Sequence, residues 1–251
     1  MAATLYQVSS GVQANAPVER RFFTAMAIAM LAVAAAGFLP ALIQTGARRA
    51  PVSPLAAAHG ALFFAWLIIY LIQSRLIANR LFAMHRRVGI VASLILVLMV
   101  AFGYETTVAM VRRGFDLSGD LRIDQDPASG ATFPFTDIFL FGMLAVAALA
   151  YRHRPDTHKS LMLFANIVLM GAPLTHLIGH IPMLAALPGA IIMLPISVFL
   201  IAAVARDYWL AKRVRVLTLG LAITLFLSGP VRAGLIAPSA TWHRIVAWLV
   251  R

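Results

Sequence analysis

The chain reads as an all-α, polytopic transmembrane helical bundle of about seven transmembrane helices, and three observations carry that reading. Of its 251 residues, 61% are hydrophobic and only 12% are charged, and the mean hydropathy is +0.87. The apolar residues gather into runs of about 20, the length that crosses a bilayer core. The 21 lysines and arginines mostly punctuate those runs, as loop anchors of membrane proteins do.

Residues 1–21 are polar, contain Ser9, Ser10, Gly11 and Pro17 and show no sustained period, which predicts a mobile cytoplasmic tail. The transmembrane helical domain is expected over 22–232. Its first span, 22–45, follows Arg20 and Arg21. With over ~20 apolar residues it is too long for the core of an export signal and reads as an uncleaved anchor. Further spans are predicted at 54–76, 87–110, 133–151, 158–180, 187–208 and 214–231. Residues 233–251 form the remaining segment. There Trp242, Ile245, Val246 and Leu249 share one helical face, with Arg244 and Arg251 elsewhere, which predicts an amphipathic C-terminal tail at the membrane interface.

Basic residues orient the spans. Arg20, Arg21, Arg75, Arg80, Arg86, Arg87, Arg152, Arg154, Lys159, Arg206, Lys212, Arg213 and Arg215 fall on one side, which is therefore expected to be cytoplasmic. The longest loop of the other side, 112–132, offsets its cations with Asp116, Asp120, Asp124 and Asp126. A bacterial inner membrane is the expected location, with the N-terminus inside and the C-terminus outside. No internal repeat and no second domain is visible.

Composition also excludes classes of function. A charge of +12 on a soluble domain would point to nucleic acid, but dispersed loop cations form no binding stripe. Without cysteine the chain makes no disulfide, iron–sulfur cluster, covalent haem or zinc–thiolate centre, leaving histidine and carboxylate as strong metal ligands. A retinal Schiff base needs a lysine inside a span, yet Lys159 and Lys212 lie at helix ends.

The histidines are the candidate site, because ionisable side chains in transmembrane helices face cavities, partners or bound ions. His59 and His176 fall near the outer face, His85 and His158 near the inner one. On an unbroken helix the 18-residue interval from His158 to His176 places both rings on one face, about 27 Å apart. Pairing by depth joins His85 with His158 and His59 with His176, each pair linking two helices as bis-imidazole ligation of haem requires. Two haem b groups would then carry electrons across the bilayer, between a donor and an acceptor that the sequence does not identify. Gly89, Ala172 and Gly179 supply small residues near the ligands, and Arg86, Arg87, Arg154 and Lys159 could hold haem propionates. Gln73 reads either as interhelical glue or as a group orienting a cofactor.

Two other readings compete. His176 and His180 form H-x-x-x-H on a helix, and with His59, Glu105 and Asp137 at similar depth they could hold one zinc, copper or iron ion in a hydrolytic or oxidative site. Alternatively the chain is a transporter or assembly factor with structural histidines, for which Pro173 and Pro195 are the interior helix breaks of note. His153, in a basic loop, and His243, in the terminal segment, are left outside either site.

Two stretches carry a resemblance. H-G-A-L-F-F-A-W-L-I-I-Y-L-I-Q from His59 to Gln73 leads to H-R-R-V-G at His85 to Gly89, and R-P-D-T-H-K-S-L-M-L runs from Arg154 to Leu163. They resemble a group of uncharacterised bacterial polytopic membrane proteins, over roughly His59 to His176. The depth-paired layout is similar to that of two-haem transmembrane cytochromes b, including the ascorbate-type ferric reductases, which implies an electron-transferring membrane oxidoreductase. In that family each of four central helices supplies one ligand. Here the fifth would supply two and the fourth none, so either His176 or His180 is the outer ligand.

Overall fold

The computed structural model describes residues 2–43, 52–114, 126–181, 183 and 193–251, and every regular element among them is helical. In chain order these are α1 (Ala2–Ile43), α2 (Pro54–Ala78), α3 (Phe82–Arg113), α4 (Pro127–Gly130), α5 (Thr132–Ala150), α6 (Pro155–Val168), α7 (Gly171–Gly179), α8 (Met193–Ala211) and α9 (Val216–Val231). A π-helical turn, Arg232–Ile236, then leads to α10 (Ala240–Leu249). Six stretches among the described residues are long and apolar enough to span a bilayer: Pro17–Pro40, Pro54–Ala78, Phe82–Arg113, Pro127–Ala150, Pro155–Gly179 and Val216–Ile236. They match six of the seven predicted spans. The other, 187–208, begins outside the described residues and continues as α8.

Large apolar side chains cover the outside of this bundle. On α3, Ile90, Leu94 and Val97 are 75%, 62% and 64% exposed. Their helical spacing makes a continuous apolar stripe, which water does not tolerate and lipid does. The protein is an integral membrane protein.

One helix occupies the centre. In the most apolar 18-residue window of Pro155–Gly179, 72% of the residues are buried, against 11–33% in the corresponding windows of the other five, so α6 and α7 form the rod around which the rest assemble. Phe164, Ile167 and Met170 of this rod are fully buried with Met30 of α1, Leu67 of α2 and Phe141 of α5. Packing of α2 on α3, α5 on α6, α1 on both α2 and α7, and α8 on α9 closes the bundle.

Three expectations are revised. The segment 1–21, expected to lack regular structure, continues α1 back to Ala2. Extension costs little once a span has nucleated the helix. The central rod is not continuous, since α6 ends at Val168 and α7 begins at Gly171. Pro173 has no N–H to offer the carbonyl of Leu169 four residues back, and the helix breaks there. His158 and His176 therefore lie on separate helices, and the same-face arithmetic for an unbroken helix does not apply to them.

The third revision adds to the C-terminal segment, which forms the expected amphipathic helix α10, a docking contact on the bundle. Val246 is buried with Val108 of α3 and Phe135 of α5. Tyr104 Oη donates to the Leu249 carbonyl at 2.9 Å, Arg112 Nε to the Val250 carbonyl at 2.9 Å and Trp242 Nε1 to the Ala128 carbonyl at 2.8 Å.

Candidate functional site

His85 is set by a tight link between two spans. Asn79 caps α2 through its N–H to the Arg75 carbonyl, and Arg80 takes a left-handed φ of 60°. Leu81 then opens α3 by accepting from the His85 N–H at 3.0 Å. His158 occupies the matching place on α6, one turn beyond Arg154, whose carbonyl accepts its N–H at 2.9 Å. The two rings meet with centroids 6.3 Å apart and planes at 89°. They join two helices that both pack on α5, with α2 the other main partner of α3.

Hydrogen bonding distinguishes the two rings. His158 Nδ1 lies 2.7 Å from the Ala148 carbonyl. A carbonyl only accepts, so Nδ1 carries a proton, and in the neutral ring Nε2 is the nitrogen left to bind a metal. His85 Nδ1 is buried without a hydrogen-bond partner. Beside it, Gln73 Nε2 donates to the His85 carbonyl at 3.2 Å, while Gln73 Oε1 is buried and unpartnered. Gly89 packs against this amide, since a Cβ there would stand 3.5 Å from Gln73 Nε2.

A charged network borders the pair. Lys159 contacts Glu19 at 2.9 Å and also pairs with Asp156, so it is not the free propionate partner that the sequence predicts. Arg206, 3% exposed, pairs with Glu19 at 3.2 Å and with Asp207, and its guanidinium lies 5.0 Å from the centre of the Phe23 ring. Arg215 binds Asp207 through Nε at 3.0 Å and NH2 at 2.8 Å. Arg86, Arg87 and Arg154 are exposed at the rim. Sequence reasoning took Arg206 only as a topology signal. The clue it passed over was an adjacent Arg–Asp pair inside an apolar run.

At the opposite end the residues grouped by depth divide between different partners. His180 Nε2 donates to the Gly37 carbonyl at 3.0 Å, and the His176 ring, 5% exposed, lies 4.5 Å from the ring of Phe38. Both thus sit against α1. Asp137 pairs with Arg232, which also donates to Thr136 Oγ1 at 2.8 Å and lies 4.5 Å over the Phe133 ring. Glu105 is exposed, while His59 Nδ1 is buried without a hydrogen-bond partner. Among the described residues no three histidines or carboxylates form a group able to hold a metal ion. His243, left outside the site, meets Ala237 O at 3.0 Å, Ser129 Oγ at 3.3 Å and Asp126 Oδ2 at 3.3 Å.

Between the two ends Trp66 Nε1 donates to Asn166 Oδ1 at 3.0 Å, and Asn166 Nδ2 donates to the Met162 carbonyl at 2.8 Å. Asn166 is fully buried, and these bonds make it interhelical glue. No known family model, curated protein or solved structure matches the chain.

Proposed function

We propose that this protein is a membrane electron carrier that holds b-type haem between paired histidines and moves electrons across the bilayer. The observation that carries the reading is the His85–His158 couple. Two metal–nitrogen bonds of about 2.0–2.1 Å plus the half-widths of two imidazoles span about 6 Å, and the ring centres lie 6.3 Å apart.

The surroundings of the couple fit the same chemistry. Ligating histidines characteristically give their second N–H to a carbonyl or carboxylate, as His158 gives its own to Ala148. A neutral imidazole with Nε2 unprotonated is the form that binds iron. With no cysteine in the chain the haem is held without covalent attachment, and it supplies one-electron chemistry when bound. His85 and His158 would hold it, and the Ala148 carbonyl fixes the His158 ring.

A second haem between His59 and His176 completes the transmembrane path. Supporting it are the matching depth of these residues on α2 and α7 and the unpartnered Nδ1 of His59. The electron donor and acceptor lie on opposite sides. The side bearing most of the arginines faces the cytoplasm of a bacterial inner membrane, and the C-terminus lies outside.

An optical spectrum of the purified protein tests this. A red preparation with a Soret band and a b-type pyridine haemochrome is expected. His85→Ala and His158→Ala should each remove the same haem and leave the other. A colourless preparation from a haem-replete host overturns the proposal.

A further inference from the structure

The couple near the basic loops is asymmetric. His158 has an acceptor for its second ring N–H, the Ala148 carbonyl at 2.7 Å. His85 has none, and its Nδ1 is buried. A ring that binds iron through Nε2 carries a proton on Nδ1, and a buried N–H without an acceptor is unfavourable. An acceptor is therefore called for beside His85.

One atom meets the need. Gln73 Oε1 is buried and has no donor, and it belongs to the amide whose Nε2 already donates to the His85 carbonyl at 3.2 Å. Two unmet atoms, the amide oxygen and a ring nitrogen, thus belong to residues that the bond from Gln73 Nε2 to the His85 backbone carbonyl already joins. Gln73 lies in the penultimate turn of α2 and His85 in the first turn of α3, with only residues 79–81 between the helices. The short link holds the amide and the ring at one level. Gly89, one turn after His85, leaves the amide room to turn, since a Cβ there would already be in contact with Gln73 Nε2 at 3.5 Å.

We infer that Gln73 is the positioning residue for His85: its Oε1 accepts the Nδ1–H of the ligating ring, fixing the tautomer and setting how strongly that ring donates to the metal. The inference rests on the haem reading above and adds to it the control of one haem's potential. Accepting from Nδ1 makes an imidazole more basic and favours the oxidised iron. A carboxylate in the same place accepts more strongly, and an alkyl group does not accept.

The test uses full-length protein with haem bound, comparing Gln73→Glu and Gln73→Leu with the wild type by redox titration of the Soret band. Haem content is expected to be unchanged in Gln73→Glu. Midpoint potentials should fall in the order Gln73→Glu below wild type below Gln73→Leu, with only the haem that is lost in His85→Ala shifting. Should Gln73→Leu fail to accumulate, the downward shift in Gln73→Glu decides by itself. Haem-loaded variants that titrate at the wild-type potential, or shift in the same direction as each other, overturn the role of Gln73 and leave the haem reading standing. A wild type that binds no haem overturns the haem reading first.

Discussion

Asp137 and Arg232 show what a single buried pair does in this bundle. The two lie 95 residues apart in sequence and meet between α5 and the π-helical turn, with side chains 19% and 11% exposed. Removing one partner strands a buried charge, a loss of about 3–5 kcal/mol where nothing else compensates. Arg232 keeps its bond to Thr136 and its place over Phe133, so Asp137→Ala should cost about 3 kcal/mol, read from unfolding in mixed micelles. The double variant Asp137→Leu/Arg232→Met should recover most of that loss, because it leaves no unpaired charge. Sequence reasoning grouped Asp137 with histidines by depth, which ranks residues along the membrane normal and says nothing of direction around a helix. His85 and His158 were legible by the same measure because both sit in the first turn beside a short link, where depth nearly determines neighbours. The unmet atoms of Gln73 were not legible, since only side-chain geometry reveals them.

Spans were the most legible elements, because bilayer thickness sets their length and arginines mark most of the ends on one side. Breaks were less so. Proline at position 173 signals a missing hydrogen bond, but whether the helix kinks or parts depends on what fills the gap. Here α1 approaches so closely that a Cβ on Gly37 would overlap the Pro173 carbonyl. Backbone cannot yield as a side chain can, so Gly37→Ala should destabilise the α1–α7 contact by about 1–3 kcal/mol. Gly60 on α2 has nothing within 4 Å of its would-be Cβ, and Gly60→Ala should stabilise by about 0.5–1 kcal/mol through helix propensity. Opposite signs for the two substitutions in one unfolding assay check the crossing of α1 over the break.

The assembled molecule is closed at one end by its own C-terminus, which the amphipathic pattern located without revealing what it covers. Asp126 anchors that closure: its Oδ2 accepts the Ser129 N–H at 2.8 Å, and His243 of α10 lies 3.3 Å from the same oxygen. The Ser129 N–H foremost holds the Asp126 carboxyl below its ordinary value; burial opposes it, and the Ser129 hydroxyl and His243 add to the lowering. A group with a lowered folded-state pKa stabilises the fold above its unfolded value, about 3.9 for aspartate, and loses that contribution as pH falls through the folded value. Acidification below about pH 4 should therefore loosen α4 from α10. Faster amide exchange at Ser129 and a change in Trp242 fluorescence would report it, and Asp126→Asn should weaken both signals' dependence on pH.

The parted central rod has a mechanical corollary. With no hydrogen-bonded helix running through residues 169–170, α6 is held chiefly by α5 and α7 by α1 and α8. His158 on α6 and His176 on α7 are thus held by different sets of neighbours, so a substitution in the packing of one half need not disturb the ring on the other.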